Sequence, residues 1–206
     1  MSAPAPGDVR RTYVDGVESV AAISSAFSPG QWGTVVCGSW SGTDTARHLA
    51  SVADWYHDWL DRALAGERSA PFAAADIDSM TSASLERYRD LNGAQAVERF
   101  GAQASSYLDR VDEHWDLPFS YPFGDVTAGL HAGIAAAEWH FHAWDLSGAT
   151  TARHEPRDPG VLFSAAGACV AAGTGGLRGR ALGLMVPLAA RRSPWTQMLA
   201  RAGRRV

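Results

Sequence analysis

The chain has 206 residues, 46% of them hydrophobic and 19% charged, with a formal net charge of −4. That balance describes a globular chain long enough for one substantial core, excludes wholesale disorder and lacks the basic footprint of a nucleic-acid binder. No apolar run approaches the roughly 18 residues of a membrane span, and Met1 to Gly7 shows no charged stretch leading into an apolar one; a cytoplasmic chain with no membrane partner is expected.

The first predicted element is a helix. Val9, Tyr13, Val17, Val20, Ile23 and Phe27 recur at spacings of three and four, the period of one helical stripe. Asp8 is a candidate N-cap, and Ser28-Pro29-Gly30 ends the run. Residues 32–40 read as a short connector. A second helix is predicted over 43–65, capped by Ser41 or Thr43, with Asp44 near its positive end. Leu49, Val52, Tyr56, Trp59, Leu60 and Ala63 form its buried face, with His48 at the edge of that face and His57 among exposed acids.

Residues 66–80 read as a loop. A third helix is predicted from Thr81 to Trp115, with a break marked near Asn92-Gly93; Leu85, Tyr88, Leu91, Val97, Phe100, Tyr107, Leu108 and Val111 are its apolar side. His114 falls at its end. Pro118 and Pro122 punctuate the chain before a fourth helix over 127–147, stopped by Ser147-Gly148. Beyond it a fifth helix is expected to start at Asp158-Pro159-Gly160 and end between Gly173 and Gly176. Val186-Pro187-Leu188 reads as extended, and Pro194 to Arg201 as a last short helix. Four long amphipathic helices imply an all-α four-helix bundle over residues 1–150, with residues 151–206 as a C-terminal extension packed on it.

The fourth helix carries the chemistry. It is rich in alanine and nearly free of charge, so Glu138 in its middle is costly unless paired, protonated or metal-bound. His142 stands four residues on, hence on the same face and roughly 6 Å along the axis. The two can share one metal ion and need a third ligand from another helix. His48 is the best candidate, although taken alone a histidine there is more often a hydrogen-bonded core or boundary residue than a ligand. A His-Glu-His set is the donor chemistry of a catalytic zinc that keeps a fourth position open. His131, seven residues before Glu138, shares its face and is a candidate acid/base or substrate contact. Asp145, one turn beyond His142, is a candidate to orient a ligand imidazole or to cap the helix end. His140 points elsewhere. Trp40, Trp55, Trp59, Trp139 and Trp144 serve as pocket lining or as core.

Cys37 and Cys169 are the only cysteines, too few for a disulfide framework or a zinc knuckle, and are expected to be reduced. All 18 basic residues are Arg, a composition suggestive of a GC-rich source such as an actinobacterium. Arg47 and the arginines between Arg178 and Arg204 are candidates to bind an anionic substrate.

Cys37, Trp40-Ser41 and His48-Leu49 together resemble the first signature of the mycothiol-dependent maleylpyruvate isomerase family, within the DinB-like bundle superfamily. Glu138-x3-His142-Ala143-Trp144-Asp145-Leu146 is similar to its second, and the tail from Trp195 to Arg204 looks like the Leu-x3-Gly-Arg ending of compact single-domain members. The resemblance covers roughly residues 9–150. It implies a DinB-like bundle with His48, Glu138 and His142 binding a divalent metal, zinc being the expected ion, and mycothiol as a possible co-substrate. A coordinated thiol loses its proton at neutral pH, so thiol transfer, conjugation or isomerisation of a small electrophilic metabolite is the leading expectation. The alternatives are a thiol-independent metal-dependent hydrolase or natural-product tailoring enzyme, and a non-catalytic metal- or small-molecule-binding bundle. Either a monomer or a homodimer is compatible with these readings.

Overall fold

A computed structural model of the protein describes residues 4–73, 76–121, 124–173 and 193–204. The order of elements is α1 (Pro6–Ser25), a 3-10 turn (Gln31–Gly33), β1 (Val35–Cys37), β2 (Trp40–Ser41), α2 (Gly42–Leu64), α3 (Ile77–Arg87), α4 (Gly93–Glu113), β3 (Pro118–Tyr121), β4 (Gly124–Thr127), α5 (Ala128–Ser147), α6 (Pro159–Gly173) and α7 (Pro194–Arg201). The fold is all-α. Its bundle consists of α1, α2, α4 and α5, with α1 lying along α5 and α2 along α4.

The helix boundaries follow from local chemistry. α1 begins at Pro6, two residues before the expected Asp8 cap, because proline at the first helical position has its φ pre-set and no N–H to satisfy. Ser41 caps α2: its Oγ accepts from the Asp44 N–H at 3.1 Å, and the Asp44 carboxylate accepts from the Ser41 N–H in return, also at 3.1 Å. The predicted third helix is in fact two. Asn92 and Gln95 form a second reciprocal cap, with both bonds at 3.0 Å, and this starts α4 afresh. α4, not α3, is therefore the bundle member.

Two antiparallel hairpins replace stretches expected to be irregular. Val35 pairs with Ser41 and Cys37 with Trp40 in the first, turning through Gly38 at φ +58°. In the second, Pro118 to Tyr121 pair in register with Thr127 to Gly124. The first hairpin leads directly into α2 and touches α5; the second leads directly into α5.

Tyr13, Leu49, Leu60, Phe100, Tyr107, Phe119, Trp139 and Leu146 are among the side chains that fill the core. Trp139 meets Tyr13 and Phe100 edge-on, with centroids 5.9 and 4.8 Å apart, and the Tyr13 hydroxyl donates to the Ala104 carbonyl at 2.9 Å. His57 departs from its expected exposure. It is half-buried, Nε2 donating to the Gln103 carbonyl at 2.9 Å while Arg110 donates to Nδ1 at 3.0 Å.

α6 starts as expected, the Asp158 carboxylate accepting from the Val161 N–H at 3.0 Å. It packs on α5, and α7 packs on α6 with Trp195, Met198 and Leu199 buried. The extended piece predicted at Val186 to Leu188 and the arginines of residues 178–192 lie outside the described residues. Among the described residues, no helix is long and apolar enough to cross a membrane.

One close approach fixes how the second hairpin enters α5. The Gly129 N–H donates to the Trp115 carbonyl at 2.9 Å, and a Cβ at Gly129 would overlap the Trp115 indole. Gly129→Ala should therefore destabilise the fold by about 1–3 kcal/mol through overpacking, read as a lower urea midpoint with an unchanged slope. An unaltered midpoint would mean that Trp115 is free to move aside.

Candidate metal centre

α2 and α5 bring three of the predicted residues together. His48, in the second turn of α2, and His142, in the last two turns of α5, both aim Nε2 at the same Glu138 oxygen. The Nε2–Oε1 distances are 3.3 Å from His48 and 3.1 Å from His142. The two rings meet edge-on with centroids 5.0 Å apart. Trp40, at the end of the first hairpin, covers both: its ring centroid is 4.9 Å from that of His48 and 6.4 Å from that of His142, lying nearly parallel to the latter. His48 and His142 are buried, and Glu138 keeps partial exposure.

The charges are strongly interdependent. Burial alone pushes the Glu138 carboxyl up, but the adjacent His142 and His48 imidazoles hold it well below its usual range. Burial lowers His48 below the ordinary histidine value. Burial also opposes a charge on His142, but Glu138 and Asp145 override it and raise this residue well above that value. The two imidazoles are thus driven apart, one toward the neutral and one toward the cationic form.

The donor set fits a divalent ion. Two imidazole nitrogens and a carboxylate oxygen have ligand atoms all within 4.8 Å of one another. Tetrahedral donors at bond lengths of about 2.0–2.2 Å stand roughly 3.3–3.6 Å apart, close to the two Nε2–Oε1 distances quoted above. Three protein donors also leave the fourth position of such a geometry open.

Asp145 lies behind His142. Its Oδ2 is 3.0 Å from Nδ1 of His142, an ion-pair distance without the alignment of a hydrogen bond. Arg204 reaches the same carboxylate with two donors, Nε to Oδ1 at 2.9 Å and Nη2 to Oδ2 at 2.6 Å. Burial would raise Asp145, but His142 and Arg204 hold it below the usual carboxylate range. On the other side, Cys37 of β1 faces His142 and Asp145, and these three form a second donor group within 4.8 Å.

His131 sits apart from this cluster. It is fully buried among Tyr56, Phe119, Tyr121 and Trp59, stacked on Phe119 at 4.4 Å, with Nδ1 bonded to the Tyr107 hydroxyl at 2.7 Å. Its Nε2 has no partner among the described residues, and burial pushes its pKa down to about 3. His140 turns to α1 and the segment after α5. Its Nε2 donates to the Thr12 carbonyl and its Nδ1 accepts from His154, each at 2.9 Å. Arg47 is bound to the carbonyls of Leu91 and Arg89, at 2.9 and 2.6 Å, and so secures the α3–α4 turn.

Residues 14–147 match the family model of the mycothiol maleylpyruvate isomerase N-terminal domain. The chain belongs to this DinB-like family. The match contains all of His48, Glu138, His142 and Asp145 and ends before Arg204. A family of this kind is mycothiol-related and generally binds a divalent metal. No curated protein and no solved structure matches the chain.

Sequence reasoning gave Cys37 no role beyond its place in the first signature and left Arg204 among a group of tail arginines. The hairpin that brings Cys37 to His142 is too short to show a period. For Arg204 there was a usable signal, the Leu199-x3-Gly203-Arg204 ending, but its partner is set only by tertiary packing.

The buried His131 has a consequence for acid stability. An unfolded histidine titrates near 6.5 and this folded one near 3, so between those values the unfolded chain binds the extra proton. Its contribution is complete above about pH 6.5 and is lost as pH falls toward 3, at up to about 1.4 kcal/mol per pH unit. His131→Phe should lower stability at pH 7 by removing the Tyr107 bond, yet show a shallower loss between pH 6.5 and 4 in denaturant titrations. Parallel slopes for the variant and the wild type would contradict this assignment.

Proposed function

We propose that the protein is a divalent-metal-dependent enzyme that uses mycothiol against a small electrophilic metabolite, with His48, Glu138 and His142 as the metal ligands. The observation that carries this reading is the convergence of two buried imidazoles, from different helices, on one carboxylate oxygen in a member of a mycothiol-related family. Zinc is the metal we favour, on the nitrogen and oxygen donors and the three-ligand pattern. When bound, such an ion supplies Lewis acidity that strips the proton from a thiol at neutral pH. The reaction class is thiol transfer, conjugation or isomerisation, and the lysine-free composition is in keeping with an actinobacterial source.

The chain's own residues divide the remaining work. Trp40 shields the two imidazoles from water on the hairpin side. Asp145 holds His142 from behind, so that Nε2 rather than Nδ1 faces Glu138. His131 is fully buried, and burial favours its neutral form, so we assign it a packing and hydrogen-bonding role toward Tyr107 in place of a contact with substrate. Tyr56 links the two regions, meeting the His131 ring at 4.5 Å while sensing the charge of Glu138. The bundle, which we place over residues 1–150, supplies all three ligands, and α6 and α7 belong to a C-terminal extension packed on it.

Protein purified without chelator should carry about one equivalent of divalent metal. His48→Ala and His142→Ala should each abolish stoichiometric metal and leave the helical circular dichroism spectrum nearly intact. Wild-type protein with less than about a tenth of an equivalent, after metal has been offered, would sink the site. With cobalt substituted, mycothiol should change the visible absorbance. If it leaves the spectrum untouched while metal is bound, the thiol reading fails and the hydrolytic alternative replaces it.

A further inference from the structure

The Asp145–Arg204 pair joins the candidate centre to a part of the chain outside the family match. α7 ends in a reversal built from its last residues. The Gly203 N–H donates to the Ala200 carbonyl at 3.1 Å and the Arg204 N–H to the Leu199 carbonyl at 2.9 Å. This is the paired bonding of a Schellman turn, in which the residue after the cap adopts a left-handed conformation. Gly203 has φ +76°, where a side chain is strained and glycine is not. The reversal throws Arg204 back along the helix and onto α5.

There three of the five N–H groups of the guanidinium bond to the protein. Nε and Nη2 grip the two oxygens of Asp145, Nη1 donates to the Ala202 carbonyl at 3.2 Å, and the plane lies over Phe141 with its carbon 4.9 Å from the ring centre. Arg204 is 16% exposed at its side chain and Asp145 only 2%. A guanidinium already paired with a buried carboxylate makes a poor docking point for an anionic substrate. A two-pronged grip on a buried carboxylate does something else: it fixes the direction of both oxygens. One of those oxygens, Oδ2, is the atom beside Nδ1 of His142.

The geometry points to Arg204 as a positioning residue that acts through Asp145 to set the ring of His142, so that the turn at the end of α7 completes the centre. The inference rests on the metal reading proposed above for its consequence, but the contacts that carry it belong to the protein alone. The anchoring of α7 supports it. Trp195 stacks on Phe141 at 5.7 Å and donates to the His154 carbonyl at 3.4 Å, which sets where the Schellman turn releases the chain.

The test uses the full-length chain labelled with nitrogen-15 at histidine, first without metal and at one fixed pH. In Arg204→Ala and in Arg204→Lys the ring signals of His142 should move while those of His131 and His154 stay in place. Movement of His154 as well would mean that the tail has merely loosened, which overturns the positioning role. Titration with Co2+ against a competing chelator should then show both variants binding about 10–100-fold more weakly than wild type. The double variant Asp145→Asn with Arg204→Ala should bind no more weakly than Asp145→Asn alone, because the two act in series. Wild-type affinity in Arg204→Lys would show that only the charge matters and overturn the inference, as would additive losses in the double variant. A wild-type chain that binds no Co2+ overturns the metal reading instead, and the His142 ring signals then decide the positioning role unaided.

Discussion

Much of the structure depends on one carboxylate in the wrong kind of helix. Glu138 is placed in the middle of an alanine-rich helix whose sole other acid is Asp145. Moving an unpaired carboxylate into such surroundings is costly enough that it would normally be protonated. Here it is held ionised by two imidazoles delivered from two helices. That requirement dictates the close approach of α2 to α5, and with it the placing of the first hairpin, which must turn so that Trp40 covers the pair and Ser41 caps α2. The bundle is thus constrained by an electrostatic debt as well as by its apolar stripes.

The same logic extends outward from Glu138. Asp145 compensates His142, and Arg204 compensates Asp145. Each member would be unfavourable alone and is stabilised by the next, which is how buried charges are generally tolerated. Breaking such a chain in the middle leaves an uncompensated ion, so the individual contacts cannot be valued separately. His140 shows the contrasting solution two residues from Glu138. It bonds to a backbone carbonyl and a neighbouring histidine, and burial pushes it below the ordinary histidine value.

Much of this was legible in the residues. The spacing of Val9, Tyr13, Val17 and Val20 defines α1, and the capping chemistry of Ser41 with Asp44 defines the start of α2. The pairing of Glu138 with His142 follows from helical geometry and the absence of neighbouring charge. The third member of the cluster required more, since periodicity alone leaves His48 as an ordinary boundary residue, and the two signatures in sequence supplied the link. Other features were hidden for physical reasons. Strands of two to four residues carry too little alternation to be told from irregular chain. The restart of α4 was not among them, since Asn92-Gly93 marks the break and Gln95 completes the cap. The bond of His57 to Gln103 and the grip of Arg204 on Asp145 depend on tertiary approach across 46 and 59 positions, which no window of sequence contains.

α5 meets its partners in an order that bears on how the chain folds. Its polar side chains are answered by Thr12, His48 and Tyr107 from upstream, and by His154 and Arg204 from downstream. Completing this helix is therefore a long-range event, and contacts of large sequence separation slow folding. On a ribosome, the apolar helix emerges after its upstream partners but ahead of Arg204. Until the tail arrives, its far end presents Asp145 without the guanidinium and Phe141 without Trp195. The nascent chain passes through a stage in which the scaffold is assembled and the end of its central helix is still uncovered, the kind of exposed apolar surface on which chaperones act.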